Sequence, residues 1–424
     1  MPFAALDLHK KVVEAVLLDD DGRILMRDRF PATREALSRF AQHLPNNTRL
    51  AVEATTNTWA VTALLQPFVA EVVVSNPLRT RAIAEAKIKT DKVDALVLAQ
   101  LLRCDFLPRV WIPDEATRQQ RHQCTERANL VADRTRIKNR IHAVLHQRLI
   151  EAPYHDLFTP AALSWLEQLQ LDAPGRSALN RHLRQLAAIE NELVQLTDEL
   201  ASEAHASPSA KLLMTLPGID FPVALTLLAV LGDVTRFPSA DKAAAYLGLA
   251  PSTHQSGHHC YHGPITKQGS GHGRWMMVQA AQSLAVHPGP LGVFFRKLAR
   301  KKNRNVAVVA TARKLVTIAW HMLRNNEPYR YAQPTTLAAK FSRLRIRVTG
   351  QRKRGGTAKG APRPAAYGSG QGSRAVPSLD QVYKDAELPP LTELQPGENK
   401  MIGAAGVVPF TRDIRQPKRV PRRS

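Results

Sequence analysis

The amino-acid sequence predicts an α/β amino-terminal domain, a helical connector, a mostly α-helical second domain and a basic tail. Three apolar runs near the amino terminus are followed by helix-like and strand-like segments in alternation, which is typical of a sheet covered by helices. Beyond about residue 114 the apolar residues recur at helical spacing instead. At 424 residues, with 44% hydrophobic content, the chain is long enough to bury the cores of two domains.

The elements of the first domain follow from their apolar patterns and turn residues. Strands are predicted at 3–8, 11–18 and 23–30, and the turn sequence Asp19-Asp20-Asp21-Gly22 makes the three a meander. The next segments are a helix at 32–44, a strand at 49–53, a helix at 58–69, a strand at 71–75 and helices at 78–87 and 91–103. We expect these elements to form one domain, residues 1–108.

Four acidic residues of this domain are candidate metal ligands, and two of them occupy positions where a charge needs a partner. Asp7 lies within an apolar strand, and Glu53 ends another. Asp91 and Asp94 stand three apart at the start of an apolar-periodic helix, so both project from one face. If the fold brings the four together, their repulsion requires cations, and hard oxygen ligands select Mg²⁺ or Mn²⁺. The alternative for the helical pair is a capped N-terminus, where acids oppose the helix dipole.

The chain is strongly basic. Its formal net charge of +23 and pI near 10.4 indicate nucleic acid as the partner, with a membrane surface as the alternative. No run approaches the ~20 apolar residues of a membrane-spanning helix, and the first residues lack the pattern of a signal sequence. We therefore expect a soluble cytoplasmic protein. The three cysteines are far apart and include no Cys-x-x-Cys pair, so we expect reduced thiols.

Residues 114–205 are predicted to form two long helices that pair as an antiparallel hairpin, used for self-association or as a spacer. The first helix is rich in cations, and its candidates for nucleic-acid contact are Arg134, Arg136, Lys138 and Arg140. The second domain, residues 206–332, opens with a Pro217-Gly218 turn that looks like a helix-hairpin-helix phosphate site. Asp220 departs from that pattern, so a tight interhelical turn is the alternative.

A glycine-punctuated polar loop follows at residues 246–275, and such loops commonly carry functional residues. It contains hydroxyls, Lys267 and Arg274. It also contains four histidines and a cysteine close together, namely His254, His258, His259, Cys260 and His262. We expect these side chains to face solvent or phosphate, and a zinc site is the alternative.

Two basic stretches lie closer to the carboxyl terminus. Arg300, Lys301 and Lys302 end a predicted helix and are expected on the backbone of a nucleic acid. After about residue 333 glycine, proline, serine and arginine dominate and no long apolar period remains. We expect residues 333–424 to be a disordered basic tail that either holds nucleic acid by counterion release or has no function.

Two independent sets of residues resemble one protein family. The loop pattern is Gly248-Leu249-Ala250-Pro251, then Ser256-Gly257, then Ile265-Thr266-Lys267-Gln268-Gly269 and Arg274. Together with the acids at 7, 53, 91 and 94, this order resembles the insertion-sequence transposases of the IS110 type over roughly residues 1–330. The meander followed by alternating helix and strand also resembles a ribonuclease-H-like fold of the RuvC type. In that architecture strands one and four lie side by side.

The resemblance implies a mechanism and partners. It implies DNA recombination guided by a bridge RNA, carried out by a homodimer or homotetramer with a composite site and Mg²⁺ or Mn²⁺ on the four acids. It also implies a serine nucleophile, which by position in the pattern is Ser256, although Ser252 and Ser270 lie in the same loop. Attack by the Ser256 hydroxyl on a DNA phosphate would give a covalent phosphoserine intermediate. Lys267 and Arg274 would orient that phosphate.

The sequence therefore predicts a nucleoid-associated transposase that inserts and excises an insertion sequence. Two other functions stay open at this point. One is a RuvC-like endonuclease that hydrolyses junction DNA with metal-activated water and forms no covalent adduct. The other is a noncatalytic nucleic-acid-binding protein, which would not explain why acids stand at apolar strand positions in so basic a chain.

Overall fold

The structure is a computed structural model that describes residues 1–83, 91–256, 259–351, 373–394 and 396–421. The chain divides into two compact units, Met1–Asp114 and Glu115–Ser424. The first unit is a mixed α/β layer and the second is mostly helical, as the sequence predicts. Each unit has its own hydrophobic core.

The first unit contains six strands and four helices among its described residues. They are β1 (Phe3–Leu8), β2 (Val12–Leu18), β3 (Ile24–Pro31), α1 (Arg34–Gln42), β4 (Arg49–Glu53), α2 (Thr58–Leu65), β5 (Glu71–Ser75), α3 (Pro77–Ile83), α4 (Asp91–Arg103) and β6 (Arg109–Val110). They form one sheet in the order β3-β2-β1-β4-β5-β6. The first three strands are antiparallel, and β1, β4 and β5 run parallel to one another.

Side-chain alternation gives this sheet two packed faces. Ala4 and Leu6 of β1 belong to a core that includes residues of α1 and α2. Phe3 and Ala5 face the opposite way and pack with Ala95, Leu98 and other residues of α4. The central strands are therefore apolar on both sides, which explains their continuous hydrophobic runs.

The second unit contains the remaining described elements. They are α5 (Glu115–His146), α6 (Pro160–Gln168), α7 (Ala173–Ala206), α8 (Pro208–Met214), α9 (Phe221–Leu231), α10 (Ala240–Tyr246), β7 (Pro251–Ser256), β8 (His259–Ile265), α11 (Gly271–Gln282), α12 (Pro290–Lys301), α13 (Arg304–Asn325), α14 (Pro334–Thr349), β9 (Ser373–Val376), α15 (Leu379–Asp385), α16 (Pro396–Ala404), α17 (Val408–Ile414) and β10 (Lys418–Pro421). The strands form two separate two-stranded antiparallel sheets, β7-β8 and β9-β10.

The two long helices α5 and α7 run antiparallel along each other. Gln120, near the start of α5, donates a hydrogen bond to Glu203, near the end of α7. Arg148, just after α5, donates a hydrogen bond to Asp172 at the start of α7. One end of the pair packs with α6 in a small core of its own. At the other end Leu200 and its neighbours join the main core of the second unit. The hairpin is therefore continuous with the helices that follow it.

The prediction of a disordered tail is wrong for the described residues after 333. Helix α14 buries Leu337 and Leu344, and α15 buries Leu379, Val382 and Tyr383 in the main core. The Tyr383 hydroxyl donates a hydrogen bond to the Tyr329 carbonyl. Residues 352–372 lie outside the described part of the chain. Burial of a few well-spaced apolar residues therefore outweighs the high Gly, Pro and Arg content.

One helix in the described ranges, Arg304–Asn325, is long and apolar enough to cross a membrane. Half of its most apolar window is buried inside the protein, and Ala312, Leu315 and Val316 are part of the main core. This helix therefore has the packing of a core helix. All three cysteines are free thiols, as expected, and burial raises the pKa of the Cys124 thiol to about 11.

Candidate functional site

Asp7 and Glu53 lie at corresponding ends of two adjacent parallel strands. The register pairs Leu6 of β1 with Val52 of β4, and the next residue in each strand is one of the two acids. Neighbouring strands are about 5 Å apart, so the two carboxylates are close neighbours. Asp7 is only 9% exposed, and its Oδ2 lies 3.1 Å from Nε2 of His9.

Both acids are on the side of the sheet that α4 covers. Alternation along β1 puts Asp7 on the same face as Phe3 and Ala5, and alternation along β4 puts Glu53 with Ala51. These three apolar residues pack with α4. The two acids therefore lie on the face that α4 covers, at the carboxyl ends of their strands.

The direction of α4 brings its amino-terminal end to the same place. At its other end, Arg103 and Gln100 donate hydrogen bonds to the carbonyls of Asp20 and Gly22, in the β2–β3 turn. That turn lies beside the start of β1, because β2 and β1 are antiparallel and Leu18 pairs with Phe3. The start of α4 therefore lies towards the end of β1 that carries Asp7.

Asp94 occupies the sheet-facing side of α4. It precedes Leu98, which packs against the sheet, by one helical turn, and the two therefore share a face. Asp91 is the first residue of the helix, and its side chain lies outside the described residues. The fold thus brings Asp7, Glu53 and Asp94 to one end and one face of the layer.

The donor set at this end has the chemistry that Mg²⁺ and Mn²⁺ prefer, namely carboxylate oxygens on rigid elements. Among the described side chains, no three of His, Cys, Asp and Glu lie close enough together to hold a metal ion. The Asp91 carboxylate is not among those side chains. The residue types therefore suit a divalent metal ion, but the described side chains do not by themselves form a metal site.

Three polar residues at this end were not predicted from the sequence. Glu14 of β2 pairs in register with Asp7, is 6% exposed, and its Oε1 lies 3.1 Å from Nε of Arg29. His9 contacts Asp7, and Ser75 of β5 pairs in register with Glu53. The criterion that singled out Asp7, an acid within an apolar run, applies equally to Glu14 and would have found it.

Ser256 lies at the far end of the β7–β8 hairpin. Pro251 pairs with Ile265 at the base, and Ser256 pairs with His259 at the tip. The side chain of Ser256 and residues 257–258 lie outside the described part of the chain. The backbone nevertheless places the predicted nucleophile at the tip of the hairpin.

The candidate zinc residues fall on the same hairpin. His259 and Cys260 are exposed on β8. His258 and the side chains of His254 and His262 lie outside the described residues. The structure therefore brings no zinc-binding group together among the side chains that it describes.

The other two serines of the loop have structural bonds. The Ser252 hydroxyl donates to the Pro264 carbonyl across the hairpin, at 3.1 Å. Ser270 is the N-cap of α11, and its Oγ accepts a hydrogen bond from the Gly273 amide at 3.0 Å. Both hydroxyls therefore stabilise the local fold.

The glycine and arginine positions of the loop also have a structural explanation. Gly248 and Gly269 both have positive φ, and a Cβ on either would meet backbone oxygen at 2.3 Å or less. Arg274 donates through Nη1 to the carbonyls of Leu247 and Lys267, both at 3.0 Å. These contacts hold the loop against the end of α10. Lys267 is exposed, and its backbone has a positive φ of 54°.

These two sets of residues coincide with two family matches. Residues 4–149 match the DEDD transposase model of IS110 elements, and residues 210–292 match the transposase model of the IS116/IS110/IS902 family. The first match contains all four acids and the second contains the Ser256 loop. Together the matches cover more than half of the chain. The chain belongs to the IS110 family of transposases.

Curated relatives of this IS110-family chain are distant. An insertion element IS116 uncharacterized 44.8 kDa protein of Streptomyces clavuligerus is 25% identical over 59% of this chain and 75% of its own length. A transposase for insertion sequence element IS1111A of Coxiella burnetii is 26% identical over 48% of this chain and 58% of its own. A pilin gene-inverting protein of Moraxella bovis is 26% identical over 61% and 74%. For a putative transposase of Sinorhizobium fredii, the chain spans only 50% of the relative's length.

The cations predicted to contact nucleic acid have different surroundings in this IS110-family chain. On α5, Arg136 pairs with Asp133 at 2.7 Å, and Lys138 lies over the Phe158 ring. Arg134 is half-buried and Arg140 is exposed. The three cations Arg300, Lys301 and Lys302 are all exposed at the end of α12. The α12 end therefore offers the more accessible positive charge.

Intramolecular hydrogen bonds occupy polar groups of the Pro217-Gly218 turn and its flanks. Asp220 is the N-cap of α9, and its carboxylate accepts a hydrogen bond from the Phe221 amide. Lys340 of α14 donates through Nζ to three carbonyls of the turn and its flanks, those of Met214, Leu216 and Ile219. These contacts favour the alternative of a tight interhelical turn.

Proposed function

We propose that the chain is a metal-dependent DNA transposase that cleaves and rejoins DNA strands to move an insertion sequence. The observation that carries this proposal is the convergence of Asp7, Glu53 and Asp94 at one end of the sheet, with Asp91 beginning the same helix. Several carboxylates at one end of a sheet repel one another unless a cation neutralises them, and this arrangement suits metal-assisted phosphodiester chemistry.

A ribonuclease-H-like assignment of the first unit is supported by its sheet. The order β3-β2-β1-β4-β5 has an antiparallel meander followed by parallel strands, and β1 lies beside β4. The acids occupy the carboxyl ends of these two central strands. In open α/β sheets, this edge is where ligands bind.

The residues that would hold Mg²⁺ or Mn²⁺ are Asp7, Glu53, Asp91 and Asp94. A bound ion would neutralise the phosphate and stabilise charge on the attacking and leaving oxygens. The contribution of the protein is orientation. Two of the acids lie on strands and two on a helix, so their backbones belong to rigid elements rather than to a loop.

Ser256 is the proposed nucleophile. Its Oγ would bond to phosphorus as a P–O bond of the DNA backbone breaks, its proton would pass to a base, and the departing deoxyribose oxygen would take up a proton. The bond energy stays in a phosphoserine link, so the reverse attack by a DNA hydroxyl can rejoin strands. Support comes from Ser252 and Ser270, whose hydroxyls are engaged in structural bonds, and from the hairpin-tip position of Ser256.

The proposed partners are target and donor DNA, a bridge RNA, and further copies of the chain as a dimer or tetramer. The net charge of +23 and the exposed cluster at 300–302 support nucleic-acid binding. Sequencing of the RNA that copurifies with the protein tests the guide. Recovery of only random cellular RNA would contradict a bridge RNA.

The decisive experiment is covalent trapping of the purified protein on labelled element-end DNA. Wild type with Mg²⁺ is expected to give a denaturation-resistant adduct, and Ser256→Ala is expected to give none. Ser252→Ala is the matched control, because it removes a hydroxyl from the same hairpin, and it should keep the adduct. Asp7→Asn and Glu53→Gln are expected to abolish the adduct.

Each competing function gives a different result. A junction endonuclease that uses water would release free ends, form no adduct and be insensitive to Ser256→Ala. A noncatalytic binding protein would retain its cellular effect after all four acids were replaced by amides. An adduct that persists in Ser256→Ala would contradict the assignment of the nucleophile.

A further inference from the structure

Ser75 is a buried polar residue with an unexplained hydroxyl. It is the last residue of β5, its exposed fraction is 0%, and its Oγ has no hydrogen-bond partner within the described parts of the chain. Most buried hydroxyls find a partner, because an unsatisfied one loses its hydration without compensation. The position therefore needs a reason beyond the stability of the isolated chain.

The location of Ser75 supplies that reason. Glu53 and Ser75 pair in register at the ends of the adjacent parallel strands β4 and β5. Val73, two residues earlier on β5, packs with α4, so alternation directs Ser75 to the covered face that also carries Glu53. The hydroxyl and the carboxylate are therefore neighbours on one face, on strands about 5 Å apart.

Another unsatisfied hydroxyl in this unit provides a contrast. Thr48 is also fully buried, and its Oγ1 lacks a partner among the described residues. It precedes β4, at the end of the strand opposite to Glu53. Thr48 thus has the same burial as Ser75 but lies at the strand end away from Asp7 and Glu53, which makes it a matched control.

We propose that Ser75 is a positioning residue of the acidic site, whose hydroxyl donates a hydrogen bond to the Glu53 carboxylate when a divalent metal is bound. The proposal rests on the proposed function. A carboxylate that binds a metal through one oxygen can accept a hydrogen bond on the other, and such outer hydrogen bonds fix the orientation of the ligand. The buried hydroxyl is placed for that role on the strand next to Glu53.

The test measures Mn²⁺ binding to the full-length protein by titration calorimetry and electron paramagnetic resonance, without DNA. Ser75→Ala is expected to weaken Mn²⁺ binding roughly 10- to 100-fold, as loss of an outer hydrogen bond does at other metal sites. Ser75→Thr, which keeps the hydroxyl, should recover part of the affinity. Thr48→Val should bind Mn²⁺ as wild type does.

Thermal unfolding of the metal-free protein tests whether the Ser75→Ala substitution damages the fold. Removal of an unsatisfied buried hydroxyl should leave the melting temperature of metal-free Ser75→Ala unchanged or raised, so its weaker binding cannot be attributed to misfolding. Normal Mn²⁺ affinity in Ser75→Ala, together with its loss in Asp7→Asn, would overturn the role of Ser75 and leave the acidic site intact. Absence of Mn²⁺ binding in wild type would overturn both proposals.

Discussion

Replacement of Lys340 by methionine is expected to loosen the turn between α8 and α9. The Lys340 ammonium is buried, with 8% of the residue exposed, and it donates to three carbonyls. The distances to the oxygens of Met214, Leu216 and Ile219 are 2.7, 3.0 and 2.7 Å. Methionine preserves most of the stem volume and removes every donor.

Two opposing effects set the magnitude. The carbonyls of Met214 and Ile219 lose this donor at a cost of roughly 2 kcal/mol each. The Leu216 carbonyl still accepts from the Ile219 amide and loses roughly 1 kcal/mol, which makes about 5 kcal/mol together. Against this, burial lowers the pKa of Lys340 from 10.5 to about 8, so removing the charge relieves at most about 3 kcal/mol. The lost hydrogen bonds outweigh the relief, and we expect local stability to fall by about 2 kcal/mol.

Amide hydrogen exchange measures this local change directly. A loss of about 2 kcal/mol corresponds to exchange roughly 30-fold faster in peptides that cover α8, the turn and the start of α9. Arg343→Met is the matched control, because Arg343 is an exposed cation on the same helix, and it should leave exchange nearly unchanged. Equal protection in Lys340→Met and wild type would refute the reasoning and show that packing alone holds the turn.

Two further predictions concern pH and nucleic acid. Burial and the charges of Arg296 and Lys340 lower the pKa of His287 from 6.5 to about 4, so between these values the unfolded chain binds a proton that the folded chain does not. The free energy of unfolding should therefore fall by up to about 3 kcal/mol as pH drops from 6.5 to 4. In His287→Gln the denaturation midpoint should depend less on pH over this range, and an unchanged pH dependence would contradict the role of His287. Replacing Arg300, Lys301 and Lys302 by glutamine should reduce the slope of log affinity for duplex DNA against log salt by up to about 3, and an unchanged slope would place DNA elsewhere.

The sequence predicts the elements of the first unit well, because each strand is a short apolar run bounded by turn residues. The strands at 49–53 and 71–75 have the bounds that the structure gives for β4 and β5. The helix predicted at 58–69 ends instead at Leu65, because Pro67 belongs to a short 3₁₀ turn that follows. Local pattern thus identifies the element and leaves its end less certain.

The carboxyl-terminal region shows where composition fails as evidence. Gly, Pro and Arg dominate after residue 333, which predicts disorder. In α15, Leu379, Val382 and Tyr383 fall at spacings of three and four, the pattern of one buried helical face. The helix has only seven residues, so this pattern becomes decisive only when the main core supplies a surface for it.

The candidate site depends on register, which a single sequence does not specify. Asp7 and Glu53 are recognisable because each is an acid at an apolar strand, a property of the local sequence. Ser75 has no such signal, and it gains its meaning only because β5 pairs with β4 so that Ser75 lies beside Glu53. A shift of β5 by one residue would turn Ser75 to the opposite face of the sheet. The acids can therefore be identified from residue type, whereas Ser75, which we propose orients Glu53, can be identified only from the strand pairing.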